Sequence, residues 1–378
     1  MKYVIWFFRI VLGATFIFSG LVKANDPLGL AYKMNEFFEI WGWTSFENHA
    51  LTFSVVMITI EVVCGVAMFV GNWYRSYITL MLLMNLFYTF LTYYALTSGK
   101  VTECGCFGDC FKISNTMTFY KDVALSVITL FLWIFRYRVF AVFDKEIINF
   151  SIVGAALVLV LAGQWYTLHH LPIYDCLPYK AGNNIWQKMQ PAADATPPEY
   201  ETILTYEKDG IKKDFPSDKI PWKDPSWKFV TSNTKLIKEG TGQPAIPHDF
   251  QLSDSSGDDH TEEIMTAKGY TFLWFVRDPE KGEFKNMDRL KNILDKTNSM
   301  KIKFYALCSM GWKTCKTYRE IWGLQHMPIM MLDGTINKTA MRTDPGLMLL
   351  KDGVVIKKWS SLDYPNDIVL ENGELNIK

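Results

Sequence analysis

Long, nearly unbroken apolar runs fill the first 170 residues. Beyond them apolar side chains come singly or in short blocks among Lys, Asp, Glu and Pro. Five runs, at residues 3–21, 50–70, 77–96, 118–135 and 147–168, are each about 17–22 residues long, which suits a hydrocarbon core of about 30 Å and predicts five spanning helices. The first run is broken by Arg9, and no A-x-A-like cleavage site precedes Lys23, so it reads as a retained helix and not as a signal peptide. Between the first two runs, Leu30, Ala31, Met34, Phe37, Phe38 and Trp41 recur at helical spacing, with Lys33, Glu36 and Glu39 on much of the other face. That pattern predicts a short amphipathic helix, lying in the interface or packed across the mouth of the bundle.

The second half changes period. Residues 189–200 form a Pro/Ala-rich linker, and residues 201–207 and 211–215 flank Lys208-Asp209-Gly210, a hairpin signal. Residues 271–276 (TFLWFV) read as a strand buried on both faces, followed by a helix at 284–297, a second strand at 301–308 and a helix at 312–322. Residues 347–350 and 354–359 then make a hairpin around Lys351-Asp352-Gly353. This order, with the stretch from Asp344-Pro345-Gly346 to Gly353, resembles a thioredoxin-like domain, and the resemblance implies a cis peptide at Pro345. Where that family places its C-x-x-C, residues 277–284 read RDPEKGEF and hold no cysteine. The expected division is a four-helix membrane unit at 1–140, a fifth helix at 141–170, a linker and hairpin at 171–245, and an α/β thioredoxin-like domain lacking C-x-x-C at 246–378.

Charge orients the bundle. Lys2, Arg9, Arg75, Arg136, Arg138 and Lys145 share one face if all five runs span, and the positive-inside rule makes that face cytoplasmic. Arg9 is expected to snorkel towards it. Residues 23–49, 97–117 and everything after about 169 then lie outside. Cys104, Cys106, Cys110, Cys176, Cys308 and Cys315 fall on that outer, oxidising side, and Cys64 alone lies within the membrane. With 39 basic and 39 acidic residues and no long basic run, nothing in the chain points to nucleic acid.

The densest chemistry is Cys104-Gly105-Cys106-Phe107-Gly108-Asp109-Cys110, just before the fourth run. A helix N-terminus nearby favours thiolate over thiol, and a thiolate attacks disulfides. Three readings stand: a reactive dithiol, a structural staple, or a metal site completed by His169 or His170. A C-x-C disulfide closes a small strained ring, so Cys104 or Cys106 with Cys110, or one of the three with Cys176, is the easier pairing. Glu61, about 11 residues into the second run, stands near mid-membrane, where a charged carboxylate costs at least ~2.5 kcal/mol. It either carries a proton or is a structural carboxyl partnered by Asn85 or Ser19. Asp122, one turn into the fourth run, either polarises the cysteine loop or is an ordinary first-turn acid. Cys308 and Cys315 flank the start of a helix at a spacing that suits a structural disulfide, and the sharper alternative is a relay with the 104–110 loop.

Arg9-Ile10-Val11-Leu12-Gly13, Ser19-Gly20 with Lys23, and Glu61-Val62-Val63-Cys64-Gly65 resemble the pattern of DoxX-type four-helix membrane proteins. Adding Cys104-Gly105-Cys106-Phe107-Gly108 brings the resemblance closer to the MauE branch, the methylamine-utilisation membrane proteins. The resemblance implies a role in forming disulfides in exported, cysteine-containing partner proteins, with a quinone as the possible cofactor. The fifth helix and the long outer domain depart from the basic MauE plan. The expected setting is a bacterial cytoplasmic (inner) membrane, with the N-terminus cytoplasmic and the C-terminal domain periplasmic. The competing expectation is a membrane-anchored scaffold for an envelope assembly, with disulfides for stability only; a transporter is third.

Overall fold

In a computed structural model of the chain, all residues are described except 72, 99–100, 102–107, 112, 140, 198, 209, 218–219, 221–223, 225, 239, 243 and 248–249. The N-terminal region is helical: α1 Lys2–Asn25, α2 Pro27–Ile40, α3 Thr44–Glu47, α4 Ala50–Val70, α5 Tyr74–Ser98, α6 Asn115–Ile134 and α7 Glu146–His169. Five of these, α1, α4, α5, α6 and α7, are long and apolar enough to cross a membrane. The chain is a multi-pass membrane protein.

Helix α4 is the centre of the bundle and packs against α1, α2, α5 and α7, while α6 closes the ring against α5 and α1. The α1–α4 contact is close because both helices present glycine. A Cβ on Gly13 would lie 3.0 Å from the Gly65 carbonyl oxygen, and one on Gly65 would lie 3.0 Å from that of Gly13. Small residues of this kind let helix backbones approach where lipid supplies no hydrophobic drive. Helix α2 starts at Pro27, is N-capped by Asp26, and buries Leu30, Ala31, Met34, Phe37 and Phe38. Of its two expected placements, the structure adopts packing across the bundle, with Ser54 Oγ donating to the Pro27 carbonyl at 2.7 Å. Helix α7 is held more lightly, by Gln164 Nε2 donating to Thr59 Oγ1 (3.0 Å) and Thr167 Oγ1 donating to the Ala24 carbonyl (3.0 Å). Most of its remaining surface faces outward.

The C-terminal region is α/β. After α8 Ile185–Met189 come β1 Glu199–Lys208, β2 Ile211–Pro216 and β3 Lys228–Lys238, an antiparallel sheet in the order β2-β1-β3. The β1–β2 hairpin lies where the Lys208-Asp209-Gly210 signal predicts it, whereas β3 is an element the sequence pattern does not predict. Then follow α9 Thr261–Met265, β4 Tyr270–Val276, α10 Met287–Ser299, β5 Lys303–Cys308, α11 Trp312–Ile321, β6 Ile329–Met331, α12 Gly334–Ala340, β7 Gly346–Lys351, β8 Val354–Ser360, β9 Ile368–Glu371 and β10 Glu374–Ile377. The central sheet runs β6-β5-β4-β7-β8, with β4, β5 and β6 parallel and β7 and β8 antiparallel.

Strand β4 reads as continuous apolar sequence because both sheet faces are covered. Leu273 and Phe275 face a core with Ile185, Phe250, Ile264 and Ile336. Phe272, Trp274 and Val276 face a second core with Leu290 and Ile293 of α10 and Leu324. The buried Trp274 indole donates to the Tyr364 hydroxyl at 2.8 Å, as a buried N–H must. The Asp344–Pro345 peptide is cis. The β7–β8 turn requires Gly353, which has φ +77° and lies against the Met265 carbonyl, leaving no room for a Cβ. This arrangement is compatible with the thioredoxin-like order.

Candidate functional site

Cys110 ends a single 3-10 turn, Gly108–Cys110, ahead of α6, and it is disulfide-bonded to Cys176, with the two Cα atoms 4.8 Å apart. Cys104 and Cys106 lie outside the described residues. Cys176 is positioned by the segment that follows α7. Asn25, at the end of α1, forms a reciprocal pair with Tyr174, its side-chain amide donating to the Tyr174 carbonyl (2.8 Å) and its oxygen accepting from the Tyr174 N–H (2.9 Å). Next to it, Asp175 is ion-paired with Lys358 of β8. Burial pulls the Lys358 ammonium below its ordinary range, and Asp175 opposes that shift. The disulfide therefore stands where the end of α1, the cysteine motif and the α/β region meet.

The same end of the bundle carries the docking contacts of the α/β region. Asp26 caps α2 through the Gly29 N–H (3.1 Å) and accepts from Arg342 Nε at 2.8 Å. Arg277, after β4, donates to the Tyr32 hydroxyl at 2.6 Å. The Asp344 carboxylate accepts the backbone N–H groups of Arg277 (2.8 Å) and Asp278 (2.9 Å), and burial raises its pKa above the usual carboxylate range against the pull of Arg277. Arg277, Asp278, Arg342 and Asp344 border a cleft of ≈ 500 Å³ whose other wall is Leu28, Leu51, Leu168 and His169 of the helical region. The cysteine-free loop of residues 277–284 opens onto it.

Inside the bundle, Lys23 Nζ reaches both carboxylate oxygens of Glu61, at 2.8 and 3.0 Å, with each side chain only 3% exposed. Ser19 Oγ donates to the same carboxylate (3.3 Å), and the ammonium lies 4.6 Å from the centre of the Tyr88 ring. Ser19 was one of the two partners expected from sequence. The other, Asn85, donates instead to Thr129 Oγ1 at 2.7 Å. Lys23 belongs to α1 and points inward, not into an outer loop as the apolar run ending at residue 21 predicts. The continued helix through Ser19-Gly20-Leu21-Val22-Lys23, which sets Lys23 four residues after Ser19, was the available signal. On α6, Asp122 is buried and ion-paired with Lys121 at 3.0 Å. Both pairs line one small cavity.

Arg9 does not snorkel. It is 2% exposed and donates to the carbonyls of Met68 and, at 3.0 Å, Phe69. These belong to the last turn of α4, whose carbonyls have no partner within the helix, and that is why the guanidinium turns inward. Trp6 stacks on it at 4.7 Å.

Cys308, at the end of β5, is disulfide-bonded to Cys315 of α11, and both are buried against Trp274 and Leu290. Cys64 is free and buried. His169 Nδ1 donates to the Trp165 carbonyl (2.8 Å) and His170 Nδ1 meets Asp363 (2.8 Å). Among the described residues no group of three or more His, Cys, Asp or Glu is placed to hold a metal ion.

Residues 1–135 match the family model of the methylamine utilisation protein MauE. Residues 200–239, the three-stranded sheet, match a domain of unknown function (DUF8463). No curated protein and no solved structure matches the chain. The first 135 residues, with four of the five long helices and the cysteine motif, thus carry the MauE family pattern, and the α/β region is a separate unit beyond them.

Proposed function

We propose that this protein is a membrane thiol–disulfide oxidoreductase, or an accessory to one, that forms disulfides in exported partner proteins and passes the electrons to a quinone in the bilayer. The observation that carries the reading is the Cys110–Cys176 disulfide, which ties the MauE-type cysteine motif to the segment leading into the α/β region and is only half-buried. A partner thiolate attacks one of its sulfurs to give a mixed disulfide, and the partner's second thiol resolves it. The partner loses two electrons and two protons; Cys110 and Cys176 take them up as thiols. Cys104 and Cys106, six and four residues before Cys110, supply the second dithiol of the exchange. A quinone in the bilayer would supply the final acceptor for the two electrons and two protons that these thiols give up.

In this reading the α/β region, without a cysteine in residues 277–284, holds the partner and performs no redox step of its own. The membrane is a bacterial inner membrane, with the N-terminus cytoplasmic and the C-terminal region periplasmic. The test uses the full chain in lipid nanodiscs. A reduced partner peptide with a single cysteine, able to attack the Cys110–Cys176 bond but not to resolve the product, should accumulate as a mixed disulfide, visible by mass. A wild-type Cys110–Cys176 bond that dithiols do not reduce, or whose reduced form a quinone does not reoxidise, would end the reading. A scaffold is the second reading, favoured by the Arg342–Asp26 pair and the Arg277–Tyr32 hydrogen bond that fix the α/β region to the bundle. It requires a variant with serine at 104, 106, 110 and 176 to retain full function in the cell.

A further inference from the structure

The two sulfurs of Cys110–Cys176 have different surroundings. Cys176 Sγ lies 3.7 Å from the carbonyl oxygen of Tyr174. That carbonyl is held in place, because the Asn25 side chain donates to it at 2.8 Å and accepts from the Tyr174 N–H at 2.9 Å. The next residue is fixed as well. Asp175 accepts the Leu177 N–H at 3.0 Å and is ion-paired with Lys358, whose ammonium also donates to the Ala340 carbonyl at 3.3 Å. Both neighbours of Cys176 in the chain are thus tied down.

Cys110 ends a single turn that rests on α1, with Gly108 over Val22 and Phe111 against the Phe18 ring at 5.7 Å. Among the described residues, Cys176 is the one of the pair with a carbonyl beside its sulfur. The charged groups bordering the bond are Asp26 and Asp175, and each faces a cation, Arg342 and Lys358. With those charges offset, the Tyr174 carbonyl is what distinguishes the two sulfurs. In the closed bond that contact carries no hydrogen. Once the bond is reduced, a thiol at Cys176 donates to the oxygen, whereas a thiolate there would face its lone pairs. A hydrogen bond made only by the neutral form holds the group neutral.

We propose that Asn25, through the Tyr174 carbonyl, divides the work between the sulfurs: in the reduced protein Cys176 keeps its proton and Cys110 is the attacking thiolate. The assignment rests on the thiol–disulfide reading above and names the sulfur that begins the return to the oxidised state. Cys110 attacks one sulfur of an acceptor disulfide. The acceptor's bond breaks, and its departing sulfur takes the electron pair and then a proton from water. Cys176 next gives its proton to water and attacks the Cys110 sulfur, which closes Cys110–Cys176 and expels the acceptor's second sulfur. Two electrons and two protons leave the protein, and the acceptor becomes two thiols. Asn25 meets neither sulfur and is a positioning residue.

The test uses the full chain in lipid nanodiscs, reduced with dithiothreitol, freed of it, and pulsed with iodoacetamide at successive pH values. Fragment spectra separate Cys110 from Cys104 and Cys106, which share its tryptic peptide. Iodoacetamide reads the thiolate. At neutral pH Cys110 should react about fivefold faster than Cys176, the worth of one ordinary hydrogen bond. The Cys176 rate should also rise at higher pH than the Cys110 rate, a midpoint that does not depend on access. Asn25→Ala should bring the two midpoints together. Lys358→Met, which leaves Asp175 without its cation, should move them further apart; a merely loosened segment would bring them together in both variants. Equal or inverted midpoints in the wild type, or a separation unchanged in Asn25→Ala, overturn the assignment and leave the exchange reading standing. A wild-type Cys110–Cys176 bond that dithiothreitol does not reduce overturns the exchange reading, and the assignment with it.

Discussion

The two disulfides occupy opposite surroundings. Cys308–Cys315 closes seven residues of sequence within the α/β region, and its sulfurs belong to residues 3 and 4% exposed that pack against Trp274 and Leu290. Cys110–Cys176 spans 66 residues, is half-buried, and joins two regions of the molecule at the rim of the bundle. The first is enclosed by the core it staples. The second is only partly covered, among Val22, Asn25, Asp26, Pro172, Tyr174 and Leu177. Burial separates a bond sealed inside one region from a partly exposed bond that ties two regions together.

The largest expected effect comes from removing the long bond. In the chain-entropy description, closing 66 residues contributes about 4 kcal/mol, so Cys110→Ser/Cys176→Ser should lower the unfolding midpoint strongly and expose residues 171–177 to limited proteolysis. An unchanged cleavage pattern would mean that the Asn25–Tyr174 and Asp175–Lys358 contacts hold the segment alone.

Next in size is the difference in reactivity. Under native conditions a water-soluble phosphine should reduce Cys110–Cys176 roughly 100-fold faster than Cys308–Cys315, because the latter must wait for local opening of the core. Timed alkylation and peptide mass mapping give both rates, and equal rates would erase the distinction. Smaller again is Cys308→Ser/Cys315→Ser, which removes closure of a short loop, about 2.5 kcal/mol. Thermal unfolding of the full chain should register it while the proteolysis pattern at 171–177 stays that of the wild type.

The smallest effect is a pH slope. Burial raises the Asp344 pKa, so between the ordinary carboxylate value of about 3.9 and the raised folded value the native state binds more protons than the unfolded chain. Its contribution to stability is complete below that window and is lost as pH rises through it. Asp344→Asn should flatten this decline in denaturant titrations taken at successive pH values; a slope identical to wild type would show that the carboxyl does not titrate there.

The five long helices were legible because lipid imposes one length and one composition on every spanning run; their observed ends differ by a few residues at most. Strands β4 and β5 were legible for a related reason, since burial on both faces makes them continuously apolar. Strand β3 was not: its polar, Lys-rich sequence carries no period that a half-exposed edge of a small sheet would need. The site was legible in its residue types and opaque in its pairings. Glu61 announces itself by being charged in an apolar run, but which cation meets it depends on the crossing of α1 over α4, which Gly13 and Gly65 set from another level of the bundle. Likewise Asp26 reads only as a helix cap, and its second partner, Arg342, stands more than 300 residues away.

The loop closed by Cys110 and Cys176 contains the whole of α6 and α7. Its two sulfurs can meet only after the chain has crossed the bilayer and returned. A nascent chain that failed to thread either helix would leave the two thiols on opposite sides of the lipid. The bond is thus a record of completed insertion, and its absence from newly made protein would identify molecules whose membrane assembly had gone astray.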